Sequence, residues 1–224
     1  NLFGKRTYSC HYLNLRFYLE HGLVLKKIHR VIRFHQSRWL GPYIAKNSEL
    51  RAKARDAFEK DFYKLMNNAV YGKTCENVLK RQDIRLVTDS VKTKKLIDKP
   101  HCLGFKIFTE NIAAVAMQKL NAKVDKPTYV GLTVLEYAKL HMYRFHYDQV
   151  LRQWPDGRAR LILTDTDSLL YEIETDDVYE DIRGNPDLHD WFDLSNYAPD
   201  NQLYDSTNKM VIGKMKDETE GKIM

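Results

Sequence analysis

Apolar residues recur every three or four positions in three parts of the chain, and this period predicts amphipathic helices there. The first helix is expected from about Leu13 to His21, where Gly22 would break it. The longest is expected from Asn47 to Gly72, because this stretch holds no proline and no internal glycine, with Asn47 or Ser48 as its cap. A third is expected over Gly131 to Leu151.

Alternation of apolar and polar residues predicts strands elsewhere. The candidate strands lie at residues 23–34 (LVLKKIHRVIRF), 83–89 (DIRLVTD), 104–120 (a strand followed by a second strand or a helix), 158–174 (a hairpin) and 209–216. Residues 91–100 are basic and turn-prone, and residues 175–206 form an acidic, loop-like stretch. Since helices and strands mix without regular βαβ alternation, the sequence predicts an α+β fold.

The predicted hairpin carries two acidic residues, Asp165 and Asp167, between its apolar runs. In an extended chain, side chains two positions apart share a face, so both carboxylates are expected to point the same way. Two close carboxylates repel each other unless a cation lies beside them, and oxygen ligands favour Mg²⁺ or Mn²⁺. A polar turn explains the pattern equally well on the hairpin alone. The apolar runs predict that the hairpin is buried in a central sheet. Because a buried carboxylate without a partner is costly, this burial favours the metal site over the turn.

The longest predicted helix carries a polar stripe along one face. On a helical projection, a group of cationic, amide and phenolic side chains falls within roughly 60° of Lys64: Lys53, Lys60, Asn67, Asn68 and Tyr71. A line of lysines suits phosphate groups, although it is also typical of a solvated helix face. Paired asparagines are unfavourable in a helix interior, and this favours the functional interpretation.

Net charge and cysteine content give only weak information about the class of protein and its partners. The net charge of +6 and the isoelectric point of about 9.0 are compatible with a polyanionic partner and equally with an ordinary basic surface. The three cysteines are scattered, with no CxxC or HExxH, which predicts reduced thiols, an intracellular protein and no zinc site. No signal peptide or membrane-length apolar run occurs, so no membrane partner is expected. The missing initiator Met predicts a fragment.

Two motifs together resemble those of family B DNA polymerases. "KLMNNAVYG" (residues 64–72) is similar to the family's K-x-x-x-N-S-x-Y-G motif, and "LTDTDS" (residues 163–168) to its Y-x-D-T-D-S motif. "GKMKDE" (residues 213–218) resembles a palm region of the protein-primed branch found in viruses, linear plasmids and self-synthesising transposons. The resemblance covers most of the chain. It implies a right-hand palm, an antiparallel sheet backed by helices, with helical fingers.

The resemblance also implies a domain division and a reaction. Residues 1–44 would form a palm part leading to the fingers, 45–74 the fingers helices, 75–126 palm strands with an insertion, and 127–224 the palm with the carboxylate hairpin. The implied activity is addition of dNTPs to a primer 3′ end by two-metal phosphoryl transfer with Mg²⁺ or Mn²⁺. The implied partners are primer-template DNA, a dNTP and a terminal priming protein.

The family's residue roles carry over to matching positions of this chain. The implied catalytic and metal-binding residues are Asp165 and Asp167, with Asp167 the metal ligand and Asp165 a supporting carboxylate. Lys60, Lys64, Asn68 and Tyr71 would bind the nucleotide, the lysines through its triphosphate. Gly72, Thr166, Ser168 and Lys214 would contact DNA, with Gly72 giving the template backbone close access and the two hydroxyls also holding the turn.

The chain departs from the family pattern in several places. Leu163 and Ala69 stand where the family has Tyr and Ser, so two hydroxyl contacts are lost. The D-x-x-S-L-Y-P motif that supplies another palm aspartate is absent before Lys64, as is a K-x-Y motif after the hairpin. We therefore expect the chain alone to be inactive. Two alternatives are a catalytically inactive nucleic-acid-binding remnant of a transposon or virus, and an unrelated metal-dependent phosphatase or nuclease, which would leave the helix motif unexplained.

Overall fold

A computed structural model describes residues 4–219 and 221–222 of the chain, which fold as a mixture of helices and small antiparallel sheets. The predicted α+β class is therefore confirmed. The chain divides into two compact units. Unit 1 combines the described residues up to Ile32 with those from Thr133 onward, and unit 2 holds Arg33–Leu132. Within the described residues, no helix has the length and apolar character that a membrane span requires.

Unit 1 contains the first helix and most of the C-terminal helices. The helix α1 covers Tyr12–Glu20 and ends where Gly22 adopts a φ of +88°, as the sequence predicts. The long helix α5 begins at the edge of unit 2 and covers Thr128–Arg144; a π-helical turn at Phe145–Val150 and the short α6 at Leu151–Gln153 continue it. Two short helices follow the hairpin, α7 (Val178–Gly184) and α8 (Pro186–His189).

The predicted hairpin is confirmed and packs on these helices. Strand β4 covers Ala159–Asp165 and β5 covers Ser168–Ile173, paired antiparallel from Ala159–Ile173 to Asp165–Ser168. Its inner face packs through Leu169, Tyr171 and Ile173 against the core of unit 1. That core consists of Phe145, Val150, Trp154, Ala159, Ile182 and Leu188. The hairpin therefore has one packed face and one open face.

Unit 2 combines a helix pair with a three-stranded sheet. The helices are α2 (Gly41–Ala52) and α3 (Ala57–Thr74). The strands β1 (Gln82–Val87), β2 (Cys102–Thr109) and β3 (Ile112–Gln118) lie in the order β1-β3-β2. Of the two alternatives for residues 104–120, the strand followed by a second strand is therefore the correct one. Helix α4 (Ser90–Ile97) covers one sheet face, where the apolar core consists of Val87, Leu96, Val115 and Met117.

The single long helix predicted over residues 47–72 is wrong, because the chain forms α2 and α3 with a break between them. Asp56 caps α3 by accepting a hydrogen bond from the Glu59 amide (2.8 Å), and the Glu59 carboxylate accepts one from the Arg55 amide (2.9 Å). This reciprocal arrangement resembles a capping box and starts a new helix at this point. Gly72 lies inside α3 instead of ending it.

Five further predictions from the sequence are corrected. Residues 23–38 form no strand, because their apolar side chains meet no partner strand. Residues 91–100 are largely helical in α4, which Asp89 caps and Leu96 anchors in the core. The stretch at 209–216 contributes only one bridge, from Met215 to Phe192, and the loop-like 175–206 contains α7 and α8. The hairpin is a separate two-stranded sheet, so its predicted place in a central sheet is wrong.

Candidate active site on the carboxylate hairpin and helix α3

Asp165 and Asp167 lie at the end of the β4–β5 hairpin. Asp165 pairs with Ser168 as the last ladder position, which leaves Thr166 and Asp167 as a two-residue loop. Thr166 has a φ of +49°, an unfavourable conformation for a β-branched residue. Its hydroxyl donates to the Asp165 carboxylate (3.2 Å), while the Ser168 hydroxyl donates to the Asp165 carbonyl (3.1 Å). Both hydroxyls therefore hold the turn, as the sequence led us to expect.

The hairpin tip is exposed instead of buried. All four residues of the tip are solvent-accessible, and the arms expose Ile162 and Leu163 by 50% and 59%. The predicted burial that favoured the metal site is therefore wrong. The alternation argument does not apply either, because Asp167 lies in the loop and not in an extended strand. A register irregularity between Leu161 and Leu163 disturbs the ladder just before the tip, and such bulges often lie near functional sites.

The charge environment of the tip leaves both carboxylates available to a ligand. Within residues 4–219 and 221–222, neither Asp165 nor Asp167 forms an ion pair, and no three His, Cys, Asp or Glu side chains cluster as a metal site. Mg²⁺ is commonly bound through one or two carboxylates, with water and phosphate oxygens completing its coordination. The pair at the tip fits that donor set and does not form an all-protein cage.

Helix α3 packs on α2 along one side. The half-buried residues of α3 include Tyr63, Met66, Asn67 and Tyr71, which recur at helical spacing. The Tyr43 hydroxyl of α2 donates to the Met66 carbonyl (3.1 Å), and the Asn67 amide donates to the Ser48 hydroxyl (3.4 Å). Asn67, a member of the predicted polar stripe, is therefore part of the helix interface, which explains the asparagine in the helix interior. Tyr71, another member, is half-buried.

The other members of the stripe face solvent. Lys60, Lys64 and Asn68 are exposed on α3, and among the described residues neither lysine is ion-paired. Lys53 caps the C-terminus of α2 and pairs with Glu49 (2.6 Å), so it does not belong to the same helix face. A side chain at Gly72 would meet nothing within 4 Å, so the backbone there is open to a ligand.

A different side of α3 borders an open groove of about 450 Å³. Its lining comes from α2, α3 and the segment before α5: Tyr43, Met66, Ala69, Val70, Lys73, Thr74, Lys126 and Pro127. None of the four predicted nucleotide-binding residues lines this groove. Lys73 and Lys126 both lie near Glu76, at 2.9 Å and 3.6 Å, so the cations at its edge are already paired. The groove is therefore not the predicted nucleotide site.

Lys214, expected to contact DNA, is engaged within unit 1. Its ammonium group donates to the Asp190 carbonyl and lies 3.1 Å from the Asp190 carboxylate. The side chain is only 19% exposed. To reach a phosphate it would have to leave both partners, so the exposed lysines of α3 are better placed for such a contact.

Two strongly perturbed carboxylates lie away from the predicted site residues. Burial alone raises the pKa of Asp193, but hydrogen bonds from Ser195 and the Met210 amide and the nearby Lys216 lower it to about 2. Burial also raises the pKa of Asp217, but hydrogen bonds from Tyr197 and Thr219 outweigh this effect and lower the pKa to about 2. Sequence reasoning missed both residues, because nothing local to them indicates burial.

Sequence reasoning also missed an exposed basic segment at residues 23–39, where the apolar alternation led to the prediction of strands. Its signal was available in the sequence: no Asp or Glu occurs between Glu20 and Glu49. Comparison of the chain with protein-family models, with curated proteins and with solved structures finds no match.

Proposed function

We propose that the chain belongs to a DNA-directed DNA polymerase of the family B type, from the protein-primed branch, which adds dNTPs to a primer 3′ end. The observation that carries the proposal is the hairpin tip, where Thr166 is left-handed and Asp165 and Asp167 are exposed and form no ion pair with the residues that the structure describes. Strain of this kind recurs at functional sites. The motif on α3, earlier in the chain, supports the proposal separately, because it carries exposed lysines.

The acidic residues of the hairpin would bind the catalytic metal ion. Asp167 would hold Mg²⁺ or Mn²⁺ directly, with Asp165 beside it near the primer end. When bound, the cation supplies charge stabilisation to the attacking and leaving oxygens of a phosphoryl transfer. Asp165 is restrained on two sides, by the Thr166 hydroxyl at its carboxylate and the Ser168 hydroxyl at its carbonyl. This preorganisation lowers the cost of positioning the ligand.

Helix α3 would bind the incoming nucleotide. Lys60 and Lys64 are one turn apart on its exposed side, so their ammonium groups can neutralise a triphosphate without first breaking an ion pair. Tyr71 is half-buried on α3, and Asn68 remains exposed beside it. Gly72 presents open backbone, as a contact with template would require.

The test is primer extension by the full-length protein with Mg²⁺ and dNTPs. We expect Asp167→Asn to lower the extension rate by at least about 1,000-fold, on the order of 4 kcal/mol of transition-state stabilisation, while DNA affinity stays unchanged. Asp200→Asn, an exposed aspartate in a turn of the same unit, is the matched control and should extend like the wild type. Normal extension by Asp167→Asn would show that the metal assignment is wrong.

The same assay separates the second candidate, an inactive nucleic-acid-binding remnant. The observations that favour it are the hydroxyls lost at Leu163 and Ala69 and the lack of a three-residue metal cluster among the described residues. A wild-type protein that binds primed DNA but extends it no faster than Asp167→Asn would support the remnant and contradict the polymerase.

A further inference from the structure

The basic segment at residues 23–39 contains the longest continuously exposed run among the described residues, and almost all of it lies outside helices and strands. Every residue from Val24 to Trp39 is exposed, and residues 23–38 form neither helix nor strand. From residue 21 to residue 48 the sequence holds six Lys and Arg residues and no Asp or Glu. Five of these cations fall inside the segment: Lys26, Lys27, Arg30, Arg33 and Arg38.

These cations have no counter-charge in the fold. Among the described residues, none of the five pairs with a carboxylate, although ion pairs are common elsewhere in the chain. Neighbouring like charges repel each other, which favours an extended chain and an external anion. Side chains from Lys26 to Arg38 follow the backbone over more than ten residues, so the complementary anion is a polymer with regularly spaced charges and not a single small ion.

The segment also exposes flat and aliphatic surface between its cations. Phe34 is 50% exposed and stacks on Tyr129 with ring centroids 4.4 Å apart, and Trp39 is 60% exposed. Basic side chains alternating with exposed aromatic rings are what single-stranded nucleic acids bind, through phosphate contacts and base stacking. A membrane surface is less suitable, since an extended backbone without hydrogen-bond partners is costly to bury in lipid.

We propose that residues 23–39 are a docking surface for a single-stranded polynucleotide, with the five cations contacting phosphates and Trp39 and Phe34 stacking on bases. This inference deepens the proposed polymerase function and rests on it, because a polymerase must hold an unpaired template strand. It assigns that contact to a segment which the family motifs do not include.

Binding of the 224-residue chain to a fluorescent single-stranded oligonucleotide tests the inference. The variant Lys26→Gln, Lys27→Gln, Arg30→Gln, Arg33→Gln should bind on the order of 100-fold more weakly at 0.1 M salt. The slope of log affinity against log salt should fall by about 3, or roughly 0.7 for each charge. Since these side chains are exposed and form no ion pair or hydrogen bond with the described residues, the variant should keep the wild-type circular dichroism.

A matched variant removes four positive charges from α4 of unit 2 and from the turn that follows it: Lys92→Gln, Lys94→Gln, Lys95→Gln, Lys99→Gln. It should keep most of the affinity and slope. Equal losses in the two variants would show that binding follows overall charge, and the docking surface would be wrong. Equally strong binding of anionic phospholipid vesicles in competition with the oligonucleotide would also overturn the assignment.

Tryptophan emission provides a second measurement. The oligonucleotide should quench the wild-type emission, and Trp39→Phe should remove the quenching, because Trp154 is buried and Trp191 half-buried against His141. Quenching that persists in Trp39→Phe would contradict the stacking role. If these binding results hold while the full-length protein fails to extend primers, the docking surface stands and the polymerase proposal fails. If the full-length protein extends primers while the binding results fail, the polymerase proposal stands and the docking surface is wrong.

Discussion

The two units of the molecule differ in sign of charge and in how that charge is used. Unit 2 holds 20 Lys and Arg against 10 Asp and Glu, whereas unit 1 holds 16 against 20. The overall excess of +6 therefore hides a basic unit and an acidic one. An average over the whole chain obscures this contrast, so it gave only weak support to a polyanionic partner.

The acids of unit 1 mostly have structural partners, and this makes the hairpin tip distinctive. Glu136 is buried and accepts hydrogen bonds from the His11 amide and from the Asn14 side chain, while Asp181 accepts from Trp154 and Thr175. Asp165 and Asp167 have no such burial. A lowered pKa therefore accompanies the hydrogen bonds that hold Glu136 and Asp181 in the fold, whereas the carboxylates of the hairpin tip are exposed and form no ion pair among the described residues.

The largest expected effect tests that distinction through Asp193. Its side chain is 2% exposed, accepts hydrogen bonds from Ser195 and the Met210 amide, and lies 3.3 Å from Lys216. Asp193→Ala leaves these donors without a partner and should lower the free energy of unfolding of unit 1 by about 3–5 kcal/mol. Urea unfolding followed by the emission of Trp154 measures it.

The matched substitution at the hairpin tip should cost little. Asp167→Ala removes an exposed carboxylate without ion pairs and should change the free energy of unfolding by less than about 0.5 kcal/mol. Comparable destabilisation at both positions would erase the distinction between stabilising and functional acids. It would also weaken the case that the tip is free for a ligand.

A smaller effect is expected from pH, through Asp217. Its carboxylate accepts hydrogen bonds from Tyr179, Tyr197, Thr219 and the Gly221 amide, which hold its pKa at about 2 against about 3.9 in an unfolded chain. A depressed folded-state pKa stabilises the protein above the unfolded value, and this stabilisation is lost as pH falls from about 4 to about 2. Since Asp217 is only half-buried, the loss should be about 1–2 kcal/mol.

Unfolding at pH 4.5 and at pH 2.5 measures this loss. Asp217→Asn should reduce the dependence between the two pH values, because the amide does not titrate, while Asp193, whose pKa is also about 2, keeps its own contribution. Asp176→Asn, at an exposed position without hydrogen bonds among the described residues, should leave it unchanged. A dependence that survives Asp217→Asn at full size would assign the acid sensitivity of unit 1 to other carboxylates.

Elements with strong local signals could be predicted from the sequence, and elements that need a distant partner could not. The hairpin combines alternating arms with a polar loop, and both signals are local, so it was predicted correctly. Residues 23–34 alternate as clearly but form no strand, because a ladder requires a second strand with free edges. The break between α2 and α3 was missed although its signal, Asp56 followed by Glu59, is local.

The candidate site shows the same limit at the level of side chains. The sequence identified the acids at residues 165 and 167 and the lysines at residues 60 and 64, but it predicted the hairpin to be buried in a central sheet. That prediction came from the apolar residues of the two strands. Two of these residues, Ile162 and Leu163, are instead 50% and 59% exposed. Composition cannot tell which of two apolar faces finds a packing partner. Asn67 was assigned to the ligand face, and its amide instead bonds to Ser48 of α2.

The smallest effect expected concerns Lys64, and it tests whether the basic unit binds the nucleotide through specific side chains. Lys64→Ala removes an exposed, unpaired ammonium group from α3 and should raise the apparent KM for dNTP about fivefold to tenfold, or roughly 1 kcal/mol, in primer extension by the full-length protein. Lys73→Ala is the control on the same helix, since Lys73 pairs with Glu76 outside the predicted stripe. An equal rise of the KM in both variants would show that the effect follows overall charge. A change confined to DNA affinity would show that Lys64 contacts the nucleic acid and not the triphosphate. A rise specific to Lys64 would mean that the cations of unit 2 differ in function even where their exposure is the same.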